Sequence, residues 1–187
     1  FMPNNFIPYS RQLVTKTDIN EVVAVLKSDF LTQGPLVKKF ENDFSKAVNS
    51  KYSIAVNSAT SALHLACLSI GLKQGDIVWT SPISFVASAN CALYCNAQID
   101  FVDIDASTGL ISIEKLRIKL EKAKKINSLP KLVIPVHLAG TSCDMKSISE
   151  LSSIYGFKVI EDASHSAGGF YKKSPIGCCK YSDISVF

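Results

Sequence analysis

The chain has 187 residues, 47% of them hydrophobic, and its 20 Lys and Arg against 16 Asp and Glu give a net charge of +4. This length and composition support one full hydrophobic core, which excludes a disordered chain and a disulfide-held miniature scaffold. The weak charge, the lack of any apolar run of membrane-spanning length and the lack of a signal-peptide pattern predict a cytoplasmic protein without nucleic-acid or membrane partners.

Two helices are predicted first. Apolar residues recur at helical spacing after Asp18, which with Glu21 forms a potential capping box. A second helix is predicted after Pro35, and its inward-facing residues are expected to be Val37, Phe40, Phe44 and Val48.

Strands and helices alternate over the rest of the chain. Strands are predicted at residues 52–56, 77–80, 99–102, 132–136 and 157–160 and from 183 onward, and helices at 58–70, 85–94, 113–124 and 145–155. Lys172 and Lys173 are predicted to lie in a hairpin turn. Short apolar strands separated by helices are typical of βαβ crossovers. We therefore predict an α/β domain whose mainly parallel sheet carries helices on both faces.

Ligands of such sheets bind beyond the carboxyl ends of the strands, so the segments that follow the strands are candidates for a functional site. Residues 57–61 lead from a strand into a helix through small and hydroxyl-bearing side chains. They either bind an anion at the helix start or simply cap the helix through Asn57 or Ser58. The sequence has no Walker lysine and no GxGxxG motif, which removes the main support for nucleoside triphosphate hydrolysis and dinucleotide binding.

Three further residues near strand ends each have two interpretations. Asp162 either caps the turn that follows its strand or pairs with a protonated ring nitrogen, as an Asp does for pyridoxal phosphate (PLP). His165 either points into the same crevice or forms a structural hydrogen bond. Phe85 either belongs to the core or lies flat on an aromatic ligand.

The six cysteines form no CxxC pair, and the three histidines are scattered at positions 64, 137 and 165. Three of the cysteines lie in apolar helical patterns, as expected of reduced and partly buried thiols. Cys91 and Cys95 could share a helix face, but a metal would need further ligands. We expect no metal site.

Four segments taken together resemble the DegT family of PLP-dependent nucleotide-sugar aminotransferases, which belongs to fold type I. They are NSATSALHLA (57–66), TSPISFVASAN (80–90), VIEDASH (159–165) and SDISVF (182–187), and the resemblance begins with residues 7–10 and 31–35. The chain is similar to members that aminate C4 of a UDP-linked 4-keto-6-deoxy-N-acetylhexosamine, using glutamate, in pseudaminic acid biosynthesis. The resemblance implies PLP as cofactor, these two substrates, and a homodimer when the protein is full length.

The resemblance also implies roles for individual residues. Those that match the family's cofactor-binding positions are Ser58, Ala59 and Thr60 at the phosphate, Phe85 on the pyridine ring, Asp162 at the ring nitrogen and His165 beside the phenolic oxygen. Those that match the sugar-nucleotide site are Tyr9, Asp29, Phe30, Leu31 and Thr32.

The family's Schiff-base lysine lies a few residues beyond the last matching motif, whereas this sequence ends at Phe187. Lys180 precedes that motif and Lys172 and Lys173 lie in the predicted turn, so none of them replaces it. The resemblance implies that residues 1–187 are the N-terminal part and most of the large PLP-binding domain, without the small C-terminal domain, and we expect this polypeptide to be inactive. Two alternatives stay open: a PLP-dependent sugar dehydratase of the same family, with histidine in place of lysine, and a non-catalytic remnant that binds a sugar nucleotide.

Overall fold

The computed structural model describes residue 7 and residues 11–187, so Tyr9 lies outside the described residues. The chain divides into two compact units, Phe1–Phe40 and Glu41–Phe187. In the first unit, helix α1 comprises Lys16–Leu26. Residues 29–32 follow it as an exposed loop.

Helix α1 begins earlier than the sequence pattern indicated. Its N-cap is Thr15, whose hydroxyl accepts a hydrogen bond from the Asp18 N–H at 3.3 Å, while the Asp18 carboxylate accepts one from the Thr15 N–H at 2.7 Å. The predicted capping box of Asp18 and Glu21 is therefore wrong. Asp18 serves as the third helical residue of the box because its carboxylate reaches back to the N-cap amide.

Helix α2 comprises Pro35–Val48, as predicted. Val48 is buried and Phe44 is half-buried, but Val37 and Phe40 are largely exposed. The prediction that these four residues face inward is therefore wrong for Val37 and Phe40. Both precede Val48, the first residue of the described chain that belongs to the buried core.

The second unit contains helices α3 to α6, at Ala59–Ser69, Ala87–Tyr94, Ile113–Lys125 and Met145–Tyr155. Its strands β1 to β7 are Ile77–Thr80, Gln98–Phe101, Leu132–Ile134, Lys158–Asp162, Phe170–Tyr171, Ser174–Pro175 and Ile184–Val186. A short 3₁₀ helix, Leu138–Gly140, follows β3. Strands β5 and β6 form the predicted hairpin, with Lys172 and Lys173 both at positive φ in its turn.

One predicted strand is absent. Residues 52–56 form no strand in the structure, and the side chains of Tyr52 and Ile54 are 75% and 80% exposed. The Ala55 N–H donates to a Glu41 carboxylate oxygen at 3.0 Å instead of to a neighbouring strand. β propensity alone does not make a strand, because a strand is stabilised by the pairing and packing of its neighbours.

The main sheet has the order β2-β1-β3-β4-β7, and all of its pairings are parallel. This confirms the predicted parallel sheet. Strand β2 pairs with one edge of β1, whereas β3, β4 and β7 follow in order from its other edge, so the strand order reverses between β1 and β3. The carboxyl ends of β1 and β3 therefore border the crevice at which ligands of open α/β sheets bind.

The two faces of the sheet are covered by separate cores. Val78, Ile134 and Ile160 pack with residues of α3 and α4, whereas their strand neighbours Val133 and Val159 pack with residues of α5 and α6. Side chains alternate between the faces of a strand, so each strand contributes to both cores. This confirms the prediction of helices on both faces.

Candidate active site

Asp162 ends strand β4 on the α3–α4 side of the sheet. It follows Ile160 by two residues and therefore points to the same face, and only 5% of its surface is exposed. Its Oδ1 accepts hydrogen bonds from the Ser164 hydroxyl at 2.7 Å and the Ser164 N–H at 3.3 Å, so it does cap the following turn. Its Oδ2 accepts from the Ser88 hydroxyl at 2.5 Å. The turn-capping interpretation is thus correct but accounts for only one of the two oxygens.

Ser88, on α4, was not identified from the sequence as a site residue. It is completely buried, and its hydroxyl also contacts the Ser84 hydroxyl at 2.7 Å. Phe85 lies one helical turn before Ser88 and accepts a hydrogen bond from the Ser88 N–H through its carbonyl oxygen. The Phe85 side chain is 71% exposed, which excludes the core interpretation. The structure therefore brings the Phe85 segment and Asp162 together, with Ser88 between them.

The start of α3 lies on the same face, since α3 residues pack in one cluster with Ile160. Ser58 is the N-cap, and its hydroxyl accepts from the Ser61 N–H at 3.2 Å, which confirms the capping interpretation. Ala59 and Thr60 are the first two helical residues, and their N–H groups have no acceptor within the helix. Capping by Ser58 thus leaves these two donors for an anion.

His165 lies in the turn after β4, three residues beyond Asp162. Its Nδ1 accepts a hydrogen bond from the Ala139 N–H at 3.3 Å. In the neutral ring the proton is therefore on Nε2. Ala139 has a φ of 53°, and a Cβ on neighbouring Gly140, whose φ is 86°, would approach the His165 carbonyl oxygen to 3.1 Å. The close passage of these two loops orients the imidazole.

A second buried carboxylate, Glu161, points to the opposite face of β4. Its Oε2 lies 2.8 Å from His137 Nε2, while its Oε1 accepts from the hydroxyls of Ser182 and of Ser185, the latter at 3.1 Å. The Cys143 N–H donates to His137 Nδ1 at 3.3 Å, so His137 Nε2 donates to Glu161. We call these four side chains, of residues 137, 161, 182 and 185, the Glu161 cluster.

The Glu161 cluster was not predicted from the sequence either, although the sequence contains a pattern that indicates it. A carboxylate next to Asp162 in an apolar strand must point to the other covered face, where it needs hydrogen-bond donors. His137, directly after the neighbouring strand, is such a donor. Burial in the same region raises the pKa of the Cys143 thiol from its ordinary 9.0 to about 12.

Two lysines that the sequence analysis considered lie away from Asp162. Lys172 and Lys180 contact the rings of Tyr171 and Tyr181, and both rings pack against the α5–α6 core. Residues 29–32 belong to the first unit and Tyr9 lies outside the described residues, so their role at a substrate site stays a prediction.

Within residue 7 and residues 11–187, no group of three or more His, Cys, Asp and Glu side chains is placed to hold a metal ion. No helix there has both the length and the apolar character needed to cross a membrane.

The sequence and the fold of the chain are similar to those of known proteins. The chain is 41% identical over 174 residues to the spore coat polysaccharide biosynthesis protein SpsC of Bacillus subtilis, covering 93% of this chain and 43% of SpsC. It is 37% identical over 182 residues to the UDP-4-amino-4,6-dideoxy-N-acetyl-beta-L-altrosamine transaminase of Campylobacter jejuni. That match covers 97% of this chain and 46% of the transaminase. Among solved structures, the chain superimposes with a TM-score of 0.83 and 31% identity on PseC of Helicobacter pylori, an aminotransferase involved in pseudoaminic acid biosynthesis. The superposition covers 91% of this chain and 44% of PseC.

The chain spans less than half the length of these relatives. A sequence profile of the DegT/DnrJ/EryC1/StrS aminotransferase family matches residues 12–187. Aminotransferases of this family are PLP-dependent, and structural neighbours of the chain confirm the predicted fold type I architecture. The chain belongs to the DegT/DnrJ/EryC1/StrS aminotransferase family.

Proposed function

We propose that this chain forms the cofactor-binding part of a PLP-dependent nucleotide-sugar aminotransferase. The proposed reaction transfers an amino group from glutamate to C4 of a UDP-linked 4-keto-6-deoxy-N-acetylhexosamine. The observation that carries the proposal is the buried carboxylate of Asp162 at a strand end, on the same face of the sheet as the free N–H groups at the start of α3.

The residues present fit the chemistry of PLP. Its phosphate is an anion, which suits the N–H groups of Ala59 and Thr60 and the positive end of the α3 dipole. Its ring nitrogen is cationic when protonated, which suits the Asp162 carboxylate. The exposed ring of Phe85 offers a flat apolar surface to an aromatic ligand.

When bound, PLP supplies an electron sink for the carbon that loses its proton. Asp162 would keep the ring nitrogen protonated, because an adjacent negative charge favours the cationic form. Phe85 would shield one side of the ring from water. His165 would donate its Nε2 proton towards the phenolic oxygen, since its Nδ1 is already engaged by Ala139. These residues bind and orient, and none of them is an amine that could move the proton between carbon atoms.

We further propose that the lysine base lies outside residues 1–187, which form most of the large domain. The positions of Lys172 and Lys180 beside rings of the α5–α6 core support this proposal, because Asp162 points to the other face.

The full protein is proposed to be a cytoplasmic homodimer. Exposed apolar side chains on α3 and α4, namely Leu65, Leu68, Leu93 and Tyr94, support association with a second copy.

The test is amination of a UDP-4-keto-6-deoxy-N-acetylhexosamine by the full-length protein with PLP and glutamate, followed by mass spectrometry of the sugar nucleotide. We expect an amino sugar from the wild-type protein and a turnover lower by about two orders of magnitude from the variant Asp162→Asn, which keeps the shape but loses the charge. Residues 1–187 alone should give no product.

Asp76→Asn is the matched control, because Asp76 lies before β1 at the opposite edge of the sheet and pairs with Lys131 at 2.8 Å. Its turnover should equal that of the wild type. Full activity of Asp162→Asn would remove Asp162 from the site. Absence of an amino sugar with the wild-type protein would refute this choice of reaction.

A further inference from the structure

We infer that Ser88 is a positioning residue, which orients the Asp162 carboxylate so that its Oδ2 meets the cationic ring nitrogen of the ligand. This inference rests on the proposed function. Its basis is the 2.5 Å hydrogen bond from the Ser88 hydroxyl to Asp162 Oδ2 across 74 residues of sequence, deep under α4.

The direction of the hydrogen bonds at Ser88 follows from counting protons. An ionised carboxylate only accepts, so the single hydroxyl proton of Ser88 goes to Asp162. The single Ser84 hydroxyl proton then has two acceptors, the Ser88 hydroxyl oxygen at 2.7 Å and the Phe85 carbonyl oxygen at 3.1 Å, and the shorter contact is the one to Ser88. The resulting order is Ser84 to Ser88 to Asp162. Consecutive hydrogen bonds of this kind polarise and strengthen one another.

The acceptor sites of Asp162 point to one oxygen for the ligand. A carboxylate has about four lone-pair sites. Oδ1 already accepts from the hydroxyl and from the N–H of Ser164, whereas within residue 7 and residues 11–187 Oδ2 accepts from Ser88 alone. The remaining site is on Oδ2, which Ser88 and the ring nitrogen would share.

Ser88 is placed to fix this oxygen. Rotation of a carboxylate about its terminal torsion is broad and roughly two-fold, so burial of the group does not by itself fix the plane. Ser164 neighbours Asp162 in an exposed turn, but Ser88 is completely buried on a helix whose residues Ala87, Cys91 and Ala92 belong to the core. The rigid donor is therefore the one on α4.

The experiment measures binding of 4′-deoxypyridoxine 5′-phosphate, which carries the ring and the phosphate but cannot condense with an amine. Affinity is compared among the wild-type protein, Ser88→Ala and Ser88→Thr, with inorganic phosphate as a competing probe of the α3 end. We expect Ser88→Ala to bind the ring compound about tenfold more weakly, because a hydrogen bond to a charged group is lost. Its affinity for inorganic phosphate should be unchanged, and Ser88→Thr, which keeps the hydroxyl, should recover most of the loss.

A second readout follows the protonation of the bound ring nitrogen by absorbance across pH. Loss of the positioning hydroxyl should make the bound ring nitrogen lose its proton at lower pH. Ser69→Ala is the control, since its hydroxyl donates to the Ala66 carbonyl at 2.8 Å within α3, and neither readout should change. An equal loss of affinity for both compounds in Ser88→Ala, or no loss for either, overturns the positioning role. Failure of the wild-type protein to bind the ring compound overturns the proposed function as well.

Discussion

Removal of the Glu161 carboxylate is expected to destabilise the fold strongly, although Glu161 faces away from Asp162. The carboxylate accepts hydrogen bonds from His137 and from two serine hydroxyls of the segment that leads into and forms β7. It thus joins β4 to β7 and to the loop after β3. The perturbation is Glu161→Ala, and the isosteric variant Glu161→Gln is its companion.

The magnitude follows from what each partner loses. His137 is completely buried, and leaving its Nε2 proton without an acceptor costs about 1–3 kcal/mol. Ser182 and Ser185 are only half-buried, so their hydroxyls can turn to water and lose about 1 kcal/mol each. Together these losses should lower the free energy of unfolding of Glu161→Ala by about 3–5 kcal/mol.

The Gln variant separates hydrogen bonding from charge. Its amide oxygen can accept from His137 while its NH₂ group donates to a serine oxygen, since a hydroxyl can reverse its role. The expected loss is therefore only about 1 kcal/mol.

The assay is urea unfolding followed by the fluorescence of Trp79, the sole tryptophan of residues 1–187, which lies on β1 and is buried in the α5–α6 core. Glu150→Ala removes an exposed carboxylate 3.5 Å from Lys146 and should change the unfolding free energy by less than about 0.5 kcal/mol. A loss of less than about 1 kcal/mol for Glu161→Ala would refute the role of the cluster. Equal losses for Ala and Gln would show that charge rather than hydrogen bonding stabilises it.

Three further predictions follow from single contacts. Nitrogen-15 NMR should show the neutral form of His165 protonated on Nε2, and protonation on Nδ1 would contradict the hydrogen bond from Ala139. The Cys143 thiol should resist alkylation in the folded protein at about pH 8, because burial raises its pKa from 9.0 to about 12. The stability that the protonated thiol contributes is complete below pH 9.0 and is lost as the pH rises towards 12, which unfolding measured as a function of pH will check. Asp144→Ala should lower the free energy of unfolding in urea by about 1 kcal/mol, because it removes the N-cap of α6. Burial raises the pKa of Asp144, but hydrogen bonds, including those from Ser147, outweigh burial and lower it overall. The stability that the Asp144 carboxylate contributes should therefore fade as the pH falls below about 4.

The fold was largely predictable because its elements depend on local periodicity. β1 and α6 were predicted at their observed bounds, and α3 and α5 to within one residue. The strand at 52–56 was wrong for a reason that no local pattern contains. Its apolar residues are typical of a strand, but in the described chain no ladder forms there, and a strand needs a partner.

The site was predictable where function left a mark on the motifs, and unpredictable where it depends on contacts across the chain. Asp162 and Phe85 stand at strand ends, and the structure places them near each other through Ser88. Ser88 itself looks like an ordinary small residue of a packed helix. Only the three-dimensional contact with Asp162, 74 residues away, distinguishes it from other buried serines.

The two adjacent carboxylates of β4 show why one of them suits a cationic ligand and the other does not. Alternation along the strand sends Asp162 to one covered face and Glu161 to the other. Both are held by uncharged groups in the described chain, hydroxyls and an N–H in one case, and hydroxyls and a neutral imidazole in the other. Glu161 is enclosed by its three donors. Asp162 lies at the carboxyl edge of the sheet with acceptor capacity left on Oδ2, and a buried negative charge without a cationic partner favours binding of a cation.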